Sequence, residues 1–200
     1  MKTLLLIRHA HTPMAGRFCG HSDPELSSTG SQQLLETVSQ ICRWPLSAIF
    51  TSDLKRAVQT AEAIASPRNL PMQLRTGLRE IHFGDWEGRS WEEIEAADPA
   101  GAASWLKAYP HGTPPGAEAF CDFEQRVRNE LAALAGLADH RVVAAVSHAG
   151  FIRTALSLIS GVSLSSITKV DYGSVTALEL VQQKWIIQEQ GSRPGPMIGL

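Results

Sequence analysis

Lys2-Thr3-Leu4-Leu5-Leu6-Ile7-Arg8-His9-Ala10 is an apolar run that stops abruptly at an arginine and a histidine. Leu4–Ile7 has no polar alternation, which suits a strand covered on both faces, as in the parallel sheets of α/β proteins. In such sheets ligands bind beyond the carboxyl ends of the strands. Arg8 and His9 then stand at that edge, where a guanidinium can hold phosphate by two parallel hydrogen bonds and an imidazole can act as nucleophile or base. Taken alone, the stretch also reads as a buried strand that merely ends in polar residues.

A later stretch has the same form. Arg141–Ser147 carries the apolar run Val142–Val146 and ends in His148, followed by Ala149-Gly150 and a helical pattern to Ser160. Two buried strands therefore each deliver a histidine. Between them, Thr12–Leu26 reads as a long loop lining the site. Ser27 is a plausible N-cap for a helix through Gln40, with Leu34, Leu35, Val38 and Ile41 on its apolar face. A short strand is expected at Leu46–Thr51. A helix over Leu54–Ala65 buries Ala57, Val58, Ala61 and Ile64 and puts Arg56 in its first turn. A third strand covers Met72–Arg75, and the glycine- and aromatic-bearing segment Leu78–Gly88 reads as a site wall. Trp91–Leu106 is weakly helical and broken by Pro99 and Gly101, and Tyr109–Gly116 is rich in proline and glycine, so a small helical lid is expected at about 86–116. Ala117–Leu137 is the clearest helix. Val175–Val181 and Trp185–Ile187 read as paired strands, and Gly191–Leu200 as a glycine- and proline-rich tail. Strands alternating with helices predict an α/β fold with a largely parallel sheet.

A chain of 200 residues with 44% hydrophobic content can bury a full core as one domain, 1–200. The net charge of -2 implies no broad basic surface, which excludes nucleic acid and an anionic membrane as expected partners. The run Leu4–Ile7 is too short for a signal-peptide core or a membrane span, so a cytoplasmic setting is expected. Cys19, Cys42 and Cys121 form no CxxC pair, which fits a reducing compartment without structural zinc. His9-Ala10-His11 is a conceivable metal pair, but no Asp or Cys cluster accompanies it, so neither metal nor cofactor is expected.

The usual catalytic signatures are missing: there is no GxxxxGK[ST], no GxSxG and no HExxH. Cysteine-phosphatase chemistry needs an arginine six residues after the nucleophile, and those positions hold Glu25, Ala48 and Val127. What remains near the ends of predicted elements is Arg8, His9, Arg56, Glu80 and His148.

These residues sit in pieces that resemble the histidine phosphatase superfamily. The pieces are Arg8-His9-Ala10, then Asp23 to Gln33 with Leu26, Gly30 and Gln33, then Thr51 to Ala61 with Arg56, then Leu78-Arg79-Glu80, Phe83 to Gly88, and Ser147-His148-Ala149-Gly150. The resemblance spans most of the chain in family order. It implies a phosphoglycerate mutase-like fold, a three-layer α/β/α sandwich with a mostly parallel central sheet. It also implies that His9 is a nucleophile forming a phosphohistidine that water hydrolyses, that Glu80 donates and accepts the proton, and that Arg8, Arg56 and His148 clamp the phosphoryl oxygens. Phosphoryl transfer mostly requires positioning and positive charge, which these residues supply. Glu87 is the reserve for the acid.

Substrate contacts are expected from Arg17, Gly20, His21, His82 and Ala149, besides Arg8, Arg56 and His148. The resemblance is loosest just after the first strand, where Ala10 and His11 replace the family's usual glycine and glutamate, and Ala15 replaces an asparagine that contacts phosphate. Within the superfamily the sequence looks most like the α-ribazole phosphatase branch of cobalamin assembly. The expected activity is metal-independent hydrolysis of a small phosphorylated metabolite by a monomer or weak homodimer. A phosphoglycerate mutase-type phosphoryl transferase and a non-catalytic module binding phosphorylated partners are the alternatives.

Overall fold

The computed structural model describes residues 2–137 and 141–192; most of the expected tail, 193–200, lies outside them. The chain folds as β1 (Lys2–Arg8), α1 (Ser28–Ile41), β2 (Ala48–Thr51), α2 (Lys55–Ala65), β3 (Met72–Leu74), α3 (Trp91–Ala97), α4 (Pro99–Ala108), α5 (Phe120–Ala135), β4 (Val142–Ser147), α6 (Ala149–Ser160), β5 (Val175–Val181) and β6 (Lys184–Ser192). The sheet order is β3-β2-β4-β1-β5-β6. Pairings from β3 to β1 are parallel, and β5 and β6 join antiparallel. This is an α/β fold with a mostly parallel sheet.

The unalternating run of β1 has the cause anticipated. Leu4 and Leu6 pack into the core of α5 and α6, and Leu5 and Ile7 into that of α1 and α2 on the other face. Strand β4 divides the same way, Val143 and Ala145 against Ala144 and Val146. The chain leaves β1 toward α1 and leaves β4 toward α6, so neighbouring strands send their helices to opposite faces. The carboxyl ends of β1 and β4 thus form a topological switch point, where open α/β sheets leave a crevice.

Several boundaries differ from expectation. Leu35 is 77% exposed, because α1 turns Thr37 and Ile41 inward instead. Gly101 does not break a helix: it lies in the first turn of α4, where its amide donates to the Asp98 N-cap carboxylate at 2.9 Å. Pro99 occupies the first helical position, where no amide is needed. Residues Trp86, Ile94 and Ala102 form a separate small cluster with Phe18, Phe83, Trp91 and Trp105 packed on it. Strand β6 is longer than Trp185–Ile187 because it pairs along β5. Among the described residues no helix is long and apolar enough to cross a membrane.

Candidate active site

The two histidines meet at the switch point. Arg8 pairs in register with Ser147, and the His9 amide donates to the Ser147 carbonyl at 2.9 Å, extending the β1–β4 ladder past its last residues. The rings of His9 and His148 then lie 5.0 Å apart.

The carbonyl of Ala10 lies 2.7 Å from His9 Nδ1. A carbonyl only accepts, so Nδ1 carries the proton and Nε2 the lone pair. Arg56 Nε donates to that lone pair at 3.3 Å. Burial, with Arg56 and Arg8 nearby, holds the imidazole well below the ordinary histidine range. His9 is therefore neutral at neutral pH with a defined nucleophilic nitrogen. His148 is fully buried and also held well below its usual range, by burial first and then by Arg56, and neither ring nitrogen has a partner.

Arg56 comes from the first turn of α2 and is fully buried. Its guanidinium donates to the carbonyls of Ser22 at 2.7 Å, Gly20 at 2.7 Å and Cys19 at 3.2 Å. The same loop caps α2: the Asp23 carboxylate accepts from the Lys55 amide at 2.6 Å, although Leu54 at the N-cap offers no side-chain bond. Arg8 stacks on Tyr172 with its guanidinium carbon 3.5 Å from the ring centroid, a cation–π contact, and donates to the Val170 carbonyl at 2.7 Å. Its Nε is buried without a partner.

Glu80 reaches the N-terminus of α6. Its carboxylate accepts from the amides of Gly150 at 2.8 Å, Phe151 at 3.2 Å and Ile81 at 3.1 Å. Position 150 must lack a side chain, since a Cβ there would lie 2.3 Å from Glu80 Oε1. Burial pushes the Glu80 carboxyl up, and the amides and two arginines offset this only in part.

A cavity of about 390 Å³ opens over these groups, lined by Arg8, His9, Glu80 and Ala149 at one part and by Phe18, Trp91, Trp105, Tyr109 and Phe120 elsewhere. Gly20 and His21 do not present free groups to it: their amides, with those of Ser22 and Phe83, donate to Glu87 at 2.8–3.1 Å. Burial raises the Glu87 carboxyl, but the Ser22 hydroxyl and these amides more than reverse that, so it is held as a carboxylate. Glu87 ties the loop and has no proton to give near neutral pH. The His21 ring donates to the Glu80 carbonyl at 3.1 Å and packs against His82. His82 lines the cavity, as does Arg17, whose guanidinium is engaged by the Gly88 carbonyl and Glu93, both at 2.8 Å. His11 bonds Ser27 at 2.8 Å rather than sharing a ligand with His9.

Sequence reasoning missed Tyr172 and Arg153. Tyr172 touches the rings of His9 and His11 as well as Arg8, but a single aromatic in a loop has no periodic signal. Arg153 lies four residues beyond Ala149, on the same helix face, and that spacing is the signal that would have found it.

The protonation states give opposite pH requirements. His9 in the role of nucleophile must be neutral, so in that role the acid limb of kcat/KM is expected well below the ordinary histidine range. A Glu80 carboxyl in the role of acid works only while protonated, so in that role turnover of an alkyl phosphate is expected to fall as pH rises through its elevated pKa. Glu80→Gln should slow an alkyl ester by about 10²–10⁴-fold and a nitrophenyl ester much less, because nitrophenolate leaves without a proton. Equal losses on both esters would remove Glu80 from the acid role.

A family model of the histidine phosphatase superfamily (branch 1) matches residues 4–192. The adenosylcobalamin/alpha-ribazole phosphatase of Escherichia coli (strain K12) is 28% identical over 194 residues, covering 95% of this chain and 96% of that protein. Phosphoserine phosphatase 1 of Hydrogenobacter thermophilus is 29% identical over 192 residues, 94% of this chain and 90% of that protein. The crystal structure of the alpha-ribazole phosphatase from Shigella flexneri superposes with a TM-score of 0.87 at 28% identity, covering 96% of each chain. With the strand-end histidines, the buried arginine and the matched model spanning nearly its whole length, this chain belongs to the histidine phosphatase superfamily (branch 1).

Proposed function

We propose that the chain hydrolyses a small phosphomonoester through a phosphohistidine at His9, with α-ribazole 5'-phosphate as the favoured substrate. The observation carrying this reading is the fixed tautomer of His9, whose Nε2 lone pair lies at the cavity between cationic groups. Nε2 attacks phosphorus in line with the departing oxygen. As the P–O bond breaks, the Glu80 carboxyl passes its proton to the leaving alcohol. Arg56 turns its Nε–H from His9 to a phosphoryl oxygen, and Arg8 Nε and His148 supply further donors as charge spreads over the equatorial oxygens. As a neutral ring His148 has one N–H to donate, and a phosphoryl oxygen can accept it. In the second step Glu80 takes a proton from water, the water oxygen attacks phosphorus, and the Nε2–P bond breaks to release phosphate and restore His9.

Support for the α-ribazole branch comes from the relatives' names and from a cavity whose size falls in the range of small-ligand sites and whose far walls are aromatic. The segment over 86–116 serves as its lid within one domain. A phosphomonoester screen that includes α-ribazole 5'-phosphate tests the substrate. Incubation with 3-phosphoglycerate and a trace of 2,3-bisphosphoglycerate tests the reaction: free phosphate is the expected product, and isomerised phosphoglycerate without net phosphate release would make the protein a mutase.

A further inference from the structure

Among the described residues, the buried polar side-chain atoms without a hydrogen-bond partner are Arg8 Nε, both ring nitrogens of His148, Arg153 Nε, Thr154 Oγ1 and Ser174 Oγ. Folded proteins rarely leave such atoms unmet, so each asks for a cause. In the proposed mechanism the phosphoryl group accounts for Arg8 Nε and for the one N–H of a neutral His148. It does not account for Arg153 and Thr154.

Both lie on α6, where Ala149, Gly150, Arg153 and Thr154 line the cavity with one face of the helix. They stand one turn, about 6 Å, beyond the residues beside the phosphate site. A helical threonine can bond back to a carbonyl three or four residues earlier. Thr154 is 2% exposed and makes no such bond. Arg153 donates to the Leu164 carbonyl at 2.9 Å and weakly to the Tyr109 hydroxyl at 3.4 Å. It has no carboxylate partner among the described residues, unlike Arg17, which pairs with Glu93. Around it the wall is aromatic, with Trp105 packed on Tyr109 at 5.4 Å and Phe120 also lining the cavity.

We propose that Arg153 and Thr154 form a second polar subsite, which reads the alcohol half of the substrate: a ring-bearing alcohol whose oxygen acceptor meets their free donors while its ring lies against Trp105 and Tyr109. This rests on the phosphatase reading, in which that alcohol is the group released. The acceptor is either a sugar oxygen or a carboxylate, and the two are separable. The enzyme and its Arg153→Gln, Arg153→Lys and Thr154→Val variants are assayed on α-ribazole 5'-phosphate, 4-carboxyphenyl phosphate and phenyl phosphate, which has a ring but no acceptor beyond the ester.

For Arg153→Gln, the ratio of kcat/KM on an acceptor-bearing ester to that on phenyl phosphate is expected to fall about 10- to 100-fold, the range for a lost hydrogen bond from a charged donor. The fall should lie mainly in KM. A fall on the ribazole ester identifies a sugar oxygen. A fall on the carboxyphenyl ester that Arg153→Lys partly restores identifies a carboxylate. Thr154→Val should lower the same ratio by a smaller factor. Calorimetric binding of the free alcohols, α-ribazole and 4-hydroxybenzoate, to the wild-type and Arg153→Gln chains needs no turnover and so stands apart from the phosphatase reading. Weaker binding of either alcohol to the variant supports the subsite. Unchanged ratios on both esters, with both alcohols bound equally by the two chains, would overturn it. Failure of the wild-type chain to hydrolyse any of the three esters would overturn the phosphatase reading and leave the binding comparison to decide the subsite.

Discussion

His9→Ala is expected to lower kcat/KM by at least about 10⁴-fold while leaving a folded protein. In the proposed mechanism the His9 side chain supplies the atom that bonds phosphorus, and no neighbour is assigned that role. The His148 ring, 5.0 Å away and fully buried, has the role of a donor to the phosphoryl oxygens in the proposed mechanism, not that of the attacking group. The structural cost is small by comparison. His9 makes one side-chain bond to the Ala10 carbonyl and accepts one from Arg56, and hydrogen bonds of this kind are each worth about 1 kcal/mol net. Steady-state kinetics on a phenyl or alkyl phosphate, with a thermal melt beside them, separate the two effects. A variant that melts like the wild type and keeps a tenth of its activity would contradict the role assigned to His9.

Arg56 should affect both activity and stability. It is a fully buried cation whose direct partners are three backbone carbonyls and the His9 nitrogen, so the loop over Cys19–Ser22 is held onto α2 by the group proposed to clamp phosphate. Arg56→Met removes the donors and leaves those carbonyls to find others. The expected cost is about 2–4 kcal/mol of stability and about 10³-fold in kcat/KM. Arg56→Lys keeps the charge but not the planar fork, so it should recover more of the stability than of the activity. Urea midpoints and kcat/KM for the two variants measure this directly. If Arg56→Met unfolds at the wild-type midpoint, the loop is held by Asp23 and Glu87 alone and the dual role fails.

Much of the fold was legible because hydrophobic patterning is a local signal for burial. The unbroken runs at Leu4–Ile7 and Val142–Val146 read as double-sided strands, and they occupy the two central positions of the sheet beside each other. Ser27 capping α1 was equally plain, and its hydroxyl accepts from the Gly30 amide at 3.1 Å. Leu35 was misjudged because leucines at both 34 and 35 compete for one helix face, and only tertiary packing selects between them. The β5–β6 hairpin turns through Gln182 and Gln183, both at positive φ; two glutamines lack the Asn-Gly signal that such turns usually carry, so the extent of β6 emerged only from its pairing.

The site divides along the same line. Arg8, His9, Arg56, Glu80 and His148 follow elements whose ends are set by pattern, and the structure brings all five together. Glu87 was misread because its neighbours in sequence do not reveal that the amides of Gly20, His21 and Ser22 converge on it from across the site. Gly30 illustrates the same limit: a Cβ there would lie 2.2 Å from the His11 carbonyl. That close approach of the first turn of α1 to the segment after β1 is a long-range fact without a local sequence mark.

The most direct measurement is to quench the enzyme during turnover of a phosphomonoester under alkaline conditions, which preserve phosphohistidine, and to locate the phosphoryl group by peptide mass spectrometry and phosphorus NMR. The account predicts a single labelled peptide, phosphorylated on His9 at Nε2, because Nδ1 is committed to the Ala10 carbonyl. Label at Nδ1 or on another residue, or full turnover with no label trapped at any time, would contradict it.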